Sequence, residues 1–496
     1  VSVPSQTAKA YHAERHAFRV LKDTARPRAQ FFLRTFAPEL TEEAAAIVDE
    51  AVKDAEVALL GWTDEEVEKA WGQACLSLQH GGHDMQPRAP DRYLYHLAAW
   101  LDSVEDDDDG KDAGENGAAD AGERSQIHPR LFAPPGAEIQ VERLTRSSIL
   151  EHPLLAPRLA EIYDKARRQN TTLPESLEKF VTGTLDGDRG SKFFVKGRVK
   201  WQSALMDGLH EARAKAWQRS ARKHDKDRVK EMAGEWILAE PPWWTHFQRP
   251  CWRIAMRLRY GLEVNPAIGL HLAKRCLCQK LDGSFCLQIL DVCGYHAQTC
   301  KVEGALIHRH DTVRDGLIPE LKRYVTSVKT EQFVYELAQL NEDTGTTTEA
   351  RMDIIAEMPG LRAMLDIRVF LPQNPTTASS GWKSTRANEI EKHARYVTHE
   401  DGRRCSNMKL YGAVVNVYGK VGQEFVDFCA VIDNINRGKG RGRSLTNLLS
   451  LLGVYANAEK VLLAHAPSMK RAQRRDVQAA IAAKDAQAEA AAQADA

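Results

Sequence analysis

The chain has 496 residues, 68 Lys and Arg against 68 Asp and Glu, and 43% hydrophobic residues. That apolar content excludes a wholly disordered chain, and the length allows roughly two to four domains. No run approaches the ~18–20 apolar residues of a membrane span, and the first residues, VSVPSQTAKAYHAERHAF, carry no apolar signal core. The chain does not start with Met, which points to a fragment of a longer product. A formal net charge of zero argues at first against a polyanion as partner.

Residues 1–101 read as helical. FAPELTEEAAAIVDEAVKDAEVALL (36–60) has apolar residues at helical spacing, with Thr41 and Glu43 at the expected start. GWTDEEVEKAWGQACL follows with Thr63 as N-cap, Gly81-Gly82 breaks the pattern, and a further helix is expected around Tyr93 to Val104. The segment 102–130, with EDDDDGKDAGENGAADAGE at its heart, is acidic, small-residue-rich and without aromatics in that run. It reads as a flexible linker, because it cannot bury enough surface to offset its ordering entropy.

Residues 131–262 read as a basic helical domain. Lys192 to Lys230 holds twelve Lys and Arg against four Asp and Glu, with Phe193, Phe194, Trp201 and Trp217 interleaved. Such a pattern fits phosphate contacts with base stacking, or equally a solvated helix face with inward aromatics. In the second aromatic-basic patch (Trp243, Trp244, Phe247, Trp252, Arg253, Arg257, Arg259), core packing is the favoured reading.

Nine cysteines are too few for a disulfide scaffold, yet Cys276, Cys278, Cys286, Cys293 and Cys300 share one short window. Cys276-Leu-Cys278 followed by His296-Ala-Gln-Thr-Cys300 offers three thiolates and an imidazole, a set that suits a closed, structural Zn²⁺ site; buried free thiols are the alternative. Cys276, Cys278, His296 and Cys300 are the expected ligands in a segment 263–305, with Cys286 and Cys293 as spare candidates.

From about residue 306 the texture becomes mixed. A helix over Thr312–Tyr324, strands over Val325–Leu337, Arg351–Glu357 and Leu361–Phe370, a helix over Thr385–Tyr396 and a strand over Leu410–Gly419 predict a β-β-β-α-β domain. Met358-Pro359-Gly360 joins the second and third strands. A hairpin there brings Asp353 and Asp366 to one end of a sheet. Two carboxylates among apolar strand residues are costly to bury unless they hold a cation, and hard oxygen ligands suit Mg²⁺ or Mn²⁺. Lys392 in Glu389-Ile-Glu391-Lys392 can orient a water or offset developing charge. Chance pairs of Asp are common, so the D…D…K pattern alone decides little. The end, 466–496, is a low-complexity tail.

The order of these motifs carries more than any one of them. CxC…HxxxC, then Arg309-His310-Asp311, then Arg351-Met352-Asp353, a strand Asp366 and the helix Glu391-Lys392-His-Ala-Arg-Tyr396 together resemble the C-terminal part of site-specific non-LTR retrotransposon proteins. Upstream, Phe31-Phe32-Leu33-Arg34-Thr35-Phe36-Ala37-Pro38 and Gly81-Gly82 resemble the thumb that follows the reverse-transcriptase palm of that family, and Arg257 to Leu262 the segment before its zinc knuckle. The resemblance spans most of residues 25–465, with gaps at the acidic linker and the basic helices.

It implies an α+β multidomain chain: thumb-like helices, a small CCHC zinc knuckle, and an α/β restriction-like endonuclease domain of the PD-(D/E)XK type over 306–465. The implied reaction is a metal-dependent nick in double-stranded chromosomal DNA that primes reverse transcription of the element RNA, in the nucleus. Carried over by position, Asp353 and Asp366 would ligate the divalent ion and Lys392 would be the catalytic lysine, with Glu331 at the place of an acid on the first core strand. Arg309, His310 and Asp311 fall in a motif tied to DNA engagement, and Arg368, two residues after Asp366, is a further expected DNA contact. Met352 stands where Pro is usual, and Arg368 where many such sites have Lys. The spacing from Asp366 to Lys392 is long, with PQNPTTASSGWKSTRA inserted. No YxDD polymerase motif occurs in the 496 residues. The competing expectation is a catalytically inactive, zinc-containing nucleic-acid-binding module. Gly438 to Arg443 and Lys470 to Arg475 are basic enough for nuclear targeting, or simply for phosphate contact. With an acidic tether in 102–123 and a basic stretch in 192–230, the zero net charge no longer argues against DNA.

Overall fold

A computed structural model describes residues 13–85, 87–103, 155–169, 175–179, 194–195, 198–199, 201–239, 250–264, 275–280, 283–291, 294–338, 350–373, 382–396, 408–436 and 441–465, with 151, 153, 173 and 242. Residues 104–130 of the acidic linker, Lys192, Lys196, Lys200, Trp243, Trp244, Phe247, Cys293, residues 374–381 of the insert after Asp366, Lys470 to Arg475 and the tail lie outside the described residues. The fold is mixed helix and sheet. It divides into two compact units, one of residues 16–59 with 71–221, the other of 1–15, 60–70 and 222–496. The seam near Arg222 falls within the basic segment 131–262 rather than at its ends.

The first unit is helical: α1 (Arg26–Thr35), α2 (Pro38–Leu60), α4 (Arg92–Ser103), α5 (Leu155–Gln169) and α6 (Trp201–Ser220). α2 begins at Pro38, whose fixed φ suits a first helical position, so Thr41 and Glu43 lie inside the helix rather than at its start. Thr41 instead donates to the Pro38 carbonyl at 3.1 Å. α4 is the hub, packing against α1, α5 and α6. Tyr93, Leu94, Leu97, Ala98 and Leu101 meet Leu155, Leu159, Ile162, Tyr163, Leu205 and Leu209 in one core. Just before α4, buried Asp91 accepts a two-pronged bond from Arg213 at 2.9 and 2.6 Å, so one cation of the basic stretch is internal. Lys215 pairs with Glu211 one turn away at 2.7 Å.

Also in this core, burial holds His96 neutral and lowers its pKa to about 4. The folded state refuses a proton that the unfolded chain accepts below about pH 6.5, so stability is full above that pH and erodes as pH falls toward 4. The shift corresponds to roughly 3 kcal/mol. Between pH 7 and 4.5 the wild type should lose more stability in urea titrations than His96→Gln; equal losses would refute this.

α3 (Asp64–Ala74) opens on a reciprocal cap: Glu66 N–H donates to Thr63 Oγ1 at 3.3 Å and Thr63 N–H to Glu66 Oε2 at 3.0 Å.

The second unit is built on a four-stranded sheet, β1 (Ser327–Phe333), β2 (Arg351–Met358), β3 (Leu361–Phe370) and β4 (Met408–Asn416), in that spatial order. β1/β2 and β2/β3 are antiparallel. β3/β4 is parallel, joined through α11 (Thr385–His393). The β-β-β-α-β order of the sequence reading is therefore present. Around the sheet lie α7 (Lys223–Lys230), α8 (Pro250–Tyr260), the short α9 (Tyr295–Thr299), α10 (Ala305–Leu321), α12 (Gln423–Ile435) and α13 (Arg441–His465).

α13 packs against α8, α9, α10, α12 and β4 and is apolar on nearly every side. Its glycine permits close approach: a Cβ at Gly453 would fall 2.8 Å from Val415 of β4. On α8, Trp252, Arg257 and Arg259 are buried. Arg257 donates to the Gly61 carbonyl at 3.1 Å and pairs with Glu66, while Arg259 donates to the Ala233 carbonyl at 2.6 Å. Core packing is thus the outcome for the described part of that patch.

Candidate metal centre and carboxylate site

The cysteine window folds as a small hairpin. Arg275 bridges Ile289 and Gln279 bridges Phe285, around a turn in which Gly283 has φ +83°. Leu287 N–H donates to Cys276 O at 2.9 Å and Cys286 N–H to Cys278 O at 2.8 Å. This folding-back carries Cys286 toward Cys276. Asp291 then starts α9 by accepting from Tyr295 and His296 N–H at 2.9 and 2.8 Å, and α9 presents His296 and Cys300 to the hairpin.

Cys276, Cys286, His296 and Cys300 each offer a ligand atom, all within 4.8 Å of one another, a group that can hold a metal ion. Cys276 Sγ lies 3.8 Å from Cys300 Sγ, and Cys286 Sγ 3.4 Å from His296 Nε2. A tetrahedron with Zn–S arms of about 2.3 Å has an S–S edge of about 3.8 Å, and an S–N edge of roughly 3.5 Å. The donor set and spacing are compatible with Zn²⁺. The fourth member is Cys286, not the expected Cys278. Cys278 stands beside Cys276 and Cys300 but outside the set that includes His296. The reason is the hairpin register, which the C-x-C spacing does not encode.

Buried polar groups of α13 and α10 support α9. Lys460 Nζ donates to Ala297 O at 2.6 Å, and Asn457 Nδ2 to Gln298 Oε1 at 3.0 Å. Burial lowers the Lys460 ammonium to about 8, Arg309 adds to this, and the nearby thiols oppose it. Arg309 is itself buried and donates to Gln298 O, Asn457 Oδ1 and Val369 O at 3.2, 2.9 and 2.9 Å. The DNA contact expected of Arg309 does not fit this placement. Its guanidinium ties α9, α13 and the end of β3 together.

The carboxylate site lies on the sheet. β2 and β3 pair Ile354 with Leu365; one step further in the same register sets Asp353 opposite Asp366. β1 and β2 pair Thr330 with Ile354 and Gln332 with Met352, so Glu331 stands opposite Asp353 on the other side. One row therefore crosses three strands as Glu331, Asp353 and Asp366, with side chains on one face of the sheet. Glu331 has φ +54°, a left-handed conformation that costs on the order of 1–3 kcal/mol for a non-glycine residue. It is held by Arg351 at 2.5 Å and by Arg314 of α10.

Lys392 of α11 pairs with Asp366 Oδ1, and the Tyr396 hydroxyl donates to Asp366 Oδ2 at 2.7 Å. α11 is placed by Ser384, whose hydroxyl accepts from Ala387 N–H at its N-cap. His310 of α10 is hydrogen-bonded to Asp353 Oδ2 at 3.1 Å through Nε2 and to Asp311 Oδ1 at 3.2 Å through Nδ1. Ile367 N–H also donates to Asp353 at 2.6 Å.

The two carboxyls are pushed apart. Burial, reinforced by neighbouring Asp353, holds Asp366 above the usual carboxylate range against the pull of Lys392. Burial would also raise Asp353, but hydrogen bonding from His310 overturns it and holds that group below the range. Arg368 pairs with Glu391, which also takes Lys383 at 2.6 Å, so it is engaged at the surface of α11. Asp353, Asp366 and Lys392 are thus brought together, with Glu331 and His310 beside Asp353. Tyr396 and Lys460, absent from the expected sites, are the additions. Tyr396 was visible in the EKxxxY pattern; nothing local marks Lys460.

No family model matches this chain, and no curated protein matches it. Among the described residues no helix is long and apolar enough to cross a membrane.

Proposed function

We propose that the chain is a divalent-metal-dependent DNA endonuclease, the C-terminal part of a site-specific non-LTR retrotransposon protein, with a structural zinc knuckle. The observation that carries this reading is the convergence of Asp353, Asp366 and Lys392 from two adjacent strands and the crossover helix. Two hard carboxylates fit Mg²⁺ or Mn²⁺ completed by water and phosphate oxygens, and a cation there would supply a Lewis acid for the scissile phosphate. Lys392 orients the attacking water and offsets charge developing on the phosphate oxygens. Tyr396 fixes Asp366, and His310, itself held by Asp311, fixes Asp353. The substrate is double-stranded target DNA in the nucleus, with element RNA as the further partner.

The test is nicking of supercoiled duplex DNA with Mg²⁺ or Mn²⁺ and with chelator. The wild type should nick only with the metal, and Asp353→Asn should fall by at least ~10²-fold. Metal-independent nicking, or nicking unchanged in Asp353→Asn, would sink the reading.

One observation favours a second reading, a binding module without catalysis: both oxygens of Asp366 already have protein partners, Lys392 and Tyr396. It predicts salt-sensitive DNA binding and no metal-dependent cleavage.

In the zinc knuckle, three thiolates around Zn²⁺ leave one net negative charge, and Lys460 is the buried cation beside them. Lys460→Met is expected to weaken zinc about 10–100-fold, the usual effect of losing an outer-shell partner. Competition with a chromophoric chelator measures it, and unchanged zinc affinity would remove Lys460 from this role.

A further inference from the structure

A cavity of about 350 Å³ in the second unit takes no part in either site. Lys69, Arg222 and Arg228 line it, with Asp225 as the one carboxylate. Arg222 Nε and Arg228 Nη2 reach that carboxylate at 2.8 and 2.9 Å. Three cations against one anion leave the lining positive.

The cations are gathered by the turn after α8. Gly261 has φ +61°, and a Cβ there would fall 2.0 Å from Arg228 Nη1, so only glycine lets the guanidinium lie on the turn. The Gly261 carbonyl in turn accepts from Lys69 Nζ at 3.3 Å. The opposite wall is preset. His224 Nε2 lies 2.8 Å from Tyr295 Oη and 2.7 Å from Gln373 Oε1, and Tyr295 donates to Gln373 at 2.5 Å. α7 also begins at this cavity with Arg222 as its N-cap, which makes no side-chain cap, so the positive end of the helix adds to the lining.

Two arginine forks, a lysine and a helix start are the donors that tetrahedral oxyanions select, and Tyr295 and Tyr418 complete the lining. The volume is at the small end for ligand sites, room for one nucleotide and not for a folded partner. We propose that this pocket is a phosphate-recognition subsite that takes one nucleotide phosphate of a nucleic-acid strand. The assignment to a strand rests on the endonuclease reading; the phosphate chemistry does not.

The experiment titrates the full chain with 5′-dAMP, deoxyadenosine and a single-stranded DNA oligonucleotide, for the wild type and for Lys69→Gln/Arg222→Gln. Both positions are exposed, so the fold should survive, and thermal melting checks that. 5′-dAMP should bind and deoxyadenosine should not. The double variant should bind both 5′-dAMP and the oligonucleotide about tenfold more weakly, with the salt slope for DNA reduced by about one. Unchanged binding of both probes in the folded double variant would overturn the proposal. A loss confined to 5′-dAMP would overturn the strand assignment in favour of free nucleotides. Absence of metal-dependent nicking with the phosphate effects intact would strike the endonuclease reading and leave the phosphate subsite standing.

Discussion

Asp366→Asn protein is expected to nick duplex DNA at least ~10²-fold more slowly than the wild type while staying folded, whereas Asp366→Ala should both lose activity and destabilise the chain. The difference comes from Lys392. It is 7% exposed and its partner Asp366 3% exposed, so the pair lies within the protein. Removing one member of a buried pair strands the other charge, at about 3–5 kcal/mol. Asparagine keeps an oxygen for Lys392 and turns an N–H toward the Tyr396 oxygen, so both polar contacts survive without the charge; alanine leaves both without a partner. Replacing both ends, Asp366→Asn with Lys392→Met, should recover most of the stability lost in Asp366→Ala and none of the activity. Urea midpoints and nicking rates on the three proteins separate the roles. A double variant that nicks at the wild-type rate would assign the pair to structure alone.

If the cysteine cluster holds zinc as proposed, stripping the metal is expected to have the largest effect on folding. A structural zinc site contributes on the order of 10 kcal/mol, and the hairpin and α9 have little apolar core of their own. Cys286→Ser should lose zinc on dialysis and melt well below the wild type, whereas Cys278→Ser should keep it. The discrimination rests on the 3.4 Å separation of Cys286 Sγ from His296 Nε2 and on the absence of Cys278 from the four-atom group. Zinc content by elemental analysis reads it directly. Zinc retained by Cys286→Ser and lost by Cys278→Ser would restore the ligand set expected from spacing.

That reversal between Cys278 and Cys286 marks where sequence reasoning runs out. Spacing restricts which cysteines are near in chain, but the fourth ligand is chosen by a hairpin register set by the turn at Gly283. Strands fared better, because their signals are local. Leu361–Phe370 is found at its expected limits, bounded by the Met358-Pro359-Gly360 turn, and Gly360 has the φ of +76° that the turn requires. The pairing of Asp353 with Asp366 follows from that turn plus a two-residue side-chain period. Helix α12 carries a stripe at helical spacing, Phe425, Phe428, Cys429 and Ile432, that the expected elements did not include, whereas α13 carries none. α13 is buried on nearly all sides, so its apolar residues show no stripe from which a period can be read. The DNA role expected of Arg309 came from the family resemblance, which does not encode the packing of α10 against α13 that turns this arginine inward.

The strained Glu331, wedged between two arginines, and the packing of α13 raise the question of how the second unit comes apart. α13 accepts Leu277 N–H at the Ala464 carbonyl beside the cysteine cluster, and at its middle Ser450 Oγ donates to Gly419 O, just beyond β4, at 2.6 Å. One rod thus forms a wall of both the cysteine cluster and the sheet. Segments that share a wall tend to open as one cooperative unit rather than fray separately. Amide protons in β4 and in the cysteine hairpin would then exchange through the same opening. Oxidation of these cysteines would loosen the floor beneath the sheet without touching either aspartate.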